Sequence, residues 1–174
     1  MERTVLEVQV SKRKGDDSMR HIKSIDVFKN VVITNDYAAG ENRFGSQDYL
    51  NITSTHGDFK DGFVNAVFAF DSTPDCCEDF GTEFSYGLYG EHYVTRIHIY
   101  ETEEPPDDDC YDDVYGSMTV VIDVLEPLNA NTRTNKQTQY TWKCYNNHNG
   151  YYGHSIDVEV SEDGQKTFDY SNVY

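Results

Sequence analysis

"SMTVVIDVL", Ser117 to Leu125, places Met118, Val120, Ile122 and Val124 on one face of an extended chain, with the intervening residues opposite. Alternation with a period of two is the mark of a half-buried antiparallel strand, because successive side chains of a pleated backbone point to opposite faces. Working outward, the same rhythm returns. Downstream, "TQYTWKC" aligns Tyr140, Trp142 and Cys144, and "SIDVEV" aligns Ile156, Val158 and Val160. Upstream, "YVTRIHIY" sets Tyr93, Thr95, Ile97 and Ile99 against Val94, Arg96, His98 and Tyr100. At the start of the chain, "TVLEVQV" sets Leu6, Val8 and Val10 against Glu7 and Gln9. Weaker candidates are "HIKSIDVF", "NVVIT", "YLNIT" and "FVNAVFAF".

Turn-forming residues separate these runs: Lys14-Gly15-Asp16-Asp17, Ala39-Gly40-Glu41-Asn42, Lys60-Asp61-Gly62, Asn146 to Gly153, and Glu162-Asp163-Gly164. No stretch offers a helical face of three turns. The pattern predicts an all-β chain, one antiparallel β-sandwich of jelly-roll type spanning residues 1–174 with about eight or nine strands. A barrel is the alternative. The expected core includes Leu6, Val8, Val67, Ile97, Ile99, Val120, Ile122, Trp142, Ile156 and Val158. His98, opposite Ile97 and Ile99, is expected to face solvent or a neighbouring strand.

Composition narrows the function. Only 37% of the 174 residues are hydrophobic, but 14 Tyr and 9 Phe supply large buriable surfaces, unlike a disordered chain. The net charge of −17 argues against binding the phosphates of nucleic acid, which calls for clustered Lys and Arg, and against an anionic membrane surface. The charge is lopsided. Asp71 to Asp113 holds fourteen carboxylates and one basic residue, Arg96, whereas the first 29 residues hold seven of the 14 basic ones. Such asymmetry bears on association. "MERTVLEVQV" has no apolar signal-type segment and no stretch reaches the length of a membrane span, so a cytoplasmic location or an intracellular inclusion is expected, with leaderless export or a mature form as alternatives. Asn51-Ile52-Thr53 fits the glycosylation pattern but needs a secretory route.

Chemistry-bearing clusters are few. "EEPPDDDCYDDVYG", Glu103 to Gly116, packs seven carboxylates behind a stiff Pro105-Pro106 entry. Asp107, Asp108, Asp109, Asp112 and Asp113 form a candidate Ca²⁺ site, since that cation gathers about six to eight oxygens, although the spacing is not that of an EF-hand. A solvated loop is the plainer reading. Cys76, Cys77, Cys110 and Cys144 lack the paired spacing of a zinc site. They read as free thiols or as disulfide candidates, with Cys110 to Cys76 or Cys77 the favoured bridge. No serine-nucleophile elbow, phosphate loop or zinc-peptidase motif occurs, so no enzymatic activity is expected and no cofactor beyond a candidate Ca²⁺.

Tyrosines in Gly- and Asn-rich surroundings are the remaining signal: Tyr86, Tyr89, Tyr93, Tyr145, Tyr151 and Tyr152. Tyr joins a rigid contact area to one polar handle and is enriched at interfaces. The basic run Lys12, Arg13, Lys14 is a candidate partner for Asp107 to Asp113 of another copy. These features predict a non-enzymatic, Tyr-rich protein acting by self-assembly or protein–protein contact, of a structural or inclusion type, with acidic loops that respond to pH or cations. Two alternatives are a Ca²⁺-dependent lectin-like module that binds glycan, and a small membrane-active, toxin-like sandwich stored inside the cell.

Overall fold

Alternating apolar residues form strands here because each strand buries one face and hydrogen-bonds the strand or strands beside it. The computed structural model describes residues 19–39, 46–55, 64–72, 79–102, 117–126, 136–147 and 154–173. Among these residues there is no helix, and therefore none long and apolar enough to cross a membrane. Nine strands follow in order: β1 (Met19–Ala39), β2 (Ser46–Ser54), β3 (Val64–Ser72), β4 (Asp79–Phe84), β5 (Gly90–Thr102), β6 (Ser117–Glu126), β7 (Lys136–Asn147), β8 (His154–Glu162) and β9 (Gln165–Val173).

All pairings are antiparallel, in the order β4-β7-β6-β5-β1-β2-β3-β8-β9. The barrel alternative is not realised: β4 and β9 are the outer strands and do not pair with each other. β1 explains how one sheet yields two layers. It pairs with β5 from Met19 to Ile33 and with β2 from Val31 to Ala39, so only Val31–Ile33 has a neighbour on both sides. The strand passes from one layer to the other, as corner strands do in sandwiches. Contacts across the interior confirm that the sheet is folded over. Phe68 of β3 lies 6.5 Å from Trp142 of β7, ring centre to ring centre. Thr82 of β4 donates to Asp48 of β2 (3.3 Å), and Tyr170 of β9 donates to Glu101 of β5 (2.6 Å).

The interior contains Ile97, Ile99, Val120, Ile122, Trp142, Ile156 and Val158 as expected, joined by Ile25, Val31, Ile33, Leu50, Ile52, Leu88 and Val94 among others. Leu6 and Val8 lie outside the described residues. Val67 is a correction. It is only half-buried, while Ala66, Phe68 and Phe70 point inward. "NAVFAF" is apolar at both parities, so apolarity cannot choose its face; pairing of Phe68 with the buried Leu50 and Val158 does.

A second correction concerns β5. Val94, not Tyr93 or Thr95, shares the inner face with Ile97 and Ile99. Register shifts on both sides of β5, between Val94 and Arg96 and between Asp26 and Lys29 of β1, change the phase at one level of the sheet. Such β-bulges add a residue and bend the strand. Phe28 sits in the β1 bulge at φ 50°, a left-handed conformation that costs a non-glycine residue about 1 kcal/mol or more. Thr95 Oγ1 donates to the Asp123 carbonyl (3.2 Å), adding a bond at the shifted level.

Candidate functional site

The residues that alternate with the core on β1, β5 and β6 carry a chain of titratable groups on the outer face. Ser24 is the register partner of His98, which neighbours β6 on its other side. Ser24 Oγ lies 2.8 Å from His98 Nδ1 and 2.8 Å from Nε2 of His21. His98 Nε2 lies 3.2 Å from Asp123 Oδ2, and Gln139 of β7 donates to Asp123 Oδ1 at 2.8 Å. Asp123 and His98 are shielded, their side chains only 10% and 18% exposed. Tyr100 covers the group, stacked on His98 at 6.2 Å and edge-on to His21 at 5.3 Å. Burial first, and the nearby Asp123 carboxylate second, push the Tyr100 hydroxyl above its ordinary pKa. Beside the chain, exposed Arg96 donates to Asp26 at 2.6 Å, a surface pair of small energetic weight.

The hydrogens order themselves. In the neutral imidazole, the hydrogen that Asp123 accepts sits on His98 Nε2 and leaves Nδ1 as the acceptor. Ser24 then donates its only hydrogen to His98 Nδ1 and accepts one from His21 Nε2. The signal in the sequence was weak. Polar residues at the outward positions of "HIKSIDVF", "TRIHIY" and "VVIDVL" could be seen, but strand register alone brings them together.

Among the described residues, two carboxyl groups are buried at inward positions of the sandwich. Glu101, 4% exposed, accepts from Arg20 and Tyr170 and ties β5 to β9; the bond to Glu101 and its charge raise the Arg20 pKa. Asp48, at 8% exposure, keeps a carboxyl whose pKa burial raises, partly offset by the Thr82 bond. Burial, with the Asp48 charge as a smaller cause, lifts Tyr89 to about 12 and raises Cys144 well above an ordinary thiol. Cys144 is a free, fully buried thiol, of the kind that packs rather than reacts. Tyr89 Oη and Trp142 Nε1 are buried without a hydrogen-bond partner among the described residues.

The tyrosine expectations divide. Tyr86 is 100% exposed and Phe84, at the end of edge strand β4, is 51% exposed. The turn between them and β5 is firmly seated. Leu88 N donates to Ser85 O (3.1 Å), with Gly87 at φ 83° in the position that a type II turn reserves for glycine. Ser85 N donates to the Thr141 carbonyl, Thr141 N donates to Ser85 Oγ, and Leu88 is fully buried. Tyr140 lies against Gly87, and His92 Nε2 donates to the Leu88 carbonyl. Tyr89 turns inward instead, its ring 4.7 Å from Phe84 and packed on the core. Tyr145 lies on β7 opposite Gly81.

Asp107, Asp108, Asp109, Asp112, Asp113, Cys76, Cys77, Cys110, Lys12, Arg13, Lys14, Tyr151 and Tyr152 lie outside the described residues. Among the described residues, no group of three His, Cys, Asp or Glu is placed to hold a metal ion. No family model, no curated protein and no solved structure matches this chain.

Proposed function

We propose that this protein acts by protein–protein association, first of all with its own copies, through the Tyr86 turn and the adjoining edge of β4. The observation that supports this reading is Tyr86 itself: a fully exposed aromatic held on a turn fixed by Ser85, Gly87 and buried Leu88. A large side chain presented on a rigid support forms contacts without the ordering cost that a mobile loop incurs. Phe84 extends the apolar surface along β4, whose outer side meets no other strand among the described residues. Such an edge offers backbone donors and acceptors to a second chain. Two β4 edges meeting antiparallel would form a closed, two-fold contact.

Charge sets the condition. At −17, copies repel one another at neutral pH, and the repulsion weakens as the pI of about 4.5 is approached. Light scattering on the full chain, from neutral pH down toward the pI and at two salt concentrations, is the test. The native chain is expected to form a defined oligomer that grows as pH falls. The double variant Phe84→Ala, Tyr86→Ala is expected to remain folded and to associate at least about tenfold more weakly, since central aromatic anchors carry much of an interface's energy. A native chain that stays monomeric at every pH would sink the reading, as would a double variant that assembles like the native chain.

A further inference from the structure

We propose that Ser24 is an activated nucleophile, with His98 as its base and Asp123 orienting that base, able to take an acyl group from a carboxylic ester. This goes beyond the association reading and runs against the expectation of no catalysis, which rested on the absence of linear motifs. A relay whose members are 74 and 25 residues apart leaves no such motif.

Nucleophilic catalysis by a hydroxyl needs a base within hydrogen-bond reach and a third group that fixes the base. Ser24 Oγ to His98 Nδ1 is 2.8 Å, and His98 Nε2 to Asp123 Oδ2 is 3.2 Å. Gln139 holds the other carboxylate oxygen at 2.8 Å, so the Asp123 plane is set from a fourth strand. The ring nitrogens are exchanged relative to the usual serine relay, which changes no chemistry, because either nitrogen can accept while the other donates. His21 Nε2–H, 2.8 Å from Ser24 Oγ, donates to the hydroxyl itself and fixes its orientation toward His98. A relay that supplies general-base assistance alone suits a reactive ester better than an amide.

In the reaction, the Ser24 Oγ–carbon bond forms as the hydroxyl proton passes to His98 Nδ1, and Asp123 stabilises the resulting imidazolium. The tetrahedral intermediate expels the alkoxide or phenoxide, and His98 returns the proton to it. Water then attacks the acyl-serine as His98 accepts its proton, the carbon–Ser24 Oγ bond breaks, and His98 returns the proton to Ser24 Oγ, releasing the carboxylic acid and the free serine.

The probe is p-nitrophenyl acetate on the full chain, with the acetylated residue located by mass spectrometry of its peptides. Ser24 is expected to carry the acetyl group. Its acylation should slow by about 100-fold in His98→Gln and in Asp123→Asn, and by about as much when the native chain is unfolded in urea. The urea comparison needs no variant to fold. No acetyl group on Ser24 in the native chain, equal rates native and unfolded, or an unchanged rate in a folded His98→Gln variant would each overturn the proposal.

Discussion

On β5 and β6, Ile97 and Ile122 lie directly across from each other on the inner face, while their neighbours His98 and Asp123 bond to each other on the outer face. The same two strands therefore hold two kinds of contact. Inside, any well-shaped apolar side chain is rewarded, because the gain is surface removed from water. Outside, each group needs one partner with the right hydrogen at the right distance, and a substitute of equal size does not serve. The inner face determines how stable the sandwich is; the outer face determines what its surface can do.

Breaking the inner face gives the largest effect. Ile97→Ala should cost about 2–5 kcal/mol, the usual range for a fully buried aliphatic residue, with a lower denaturation midpoint and an unchanged slope in urea. A loss below about 1 kcal/mol would mean that Ile97 is not at the centre of the core. The adjacent outer residue gives a smaller effect. His98→Ala removes one donor from Asp123 and one acceptor from Ser24, and should cost about 1 kcal/mol in the same experiment. Equal losses at the two positions would erase the distinction between the faces.

The third and smallest change tests the inner face where it departs from its own rule. Asp48 is a carboxyl placed inward, and burial raises its folded pKa above 3.8. A raised pKa means that the folded state favours the protonated acid. The stability from protonation is complete below 3.8 and is lost as pH rises through the folded value. Asp48→Asn keeps an acceptor for Thr82 and removes the charge, so it should gain up to about 1 kcal/mol near neutral pH. That gain should vanish in thermal melts below pH 3.8. Tyr89, held at about 12 partly by the Asp48 charge, should then ionise at a lower pH in an ultraviolet titration. A variant less stable than the native chain at neutral pH would contradict the assignment.

The strands were legible wherever one parity was apolar and the other polar, as in "SMTVVIDVL" and "SIDVEV", because burial then has a single solution. Val67 was misplaced because its segment is apolar at both parities. Tyr93 and Thr95 were misplaced because alternation assumes an unbroken ladder, and the register shift at Thr95 leaves no mark on hydrophobicity. Tyr86 was legible as an exposed aromatic beside glycine, whereas Tyr89, three residues on, belongs to the core. The outer-face chain was not legible, because Ser24, His98 and Asp123 meet only through register. No local spacing encodes that meeting.

The passage of β1 from one layer to the other also bears on how the chain folds. β1, β2 and β3 pair in sequence order, as do β5, β6 and β7, so each trio can assemble from near neighbours. Joining the trios requires Met19 to find Thr102 and Ile25 to find Ile97, which closes a long loop before any contact repays it. That junction is expected to be the slow step. Because the strand that anchors one layer also anchors the other, the two described layers are expected to melt together.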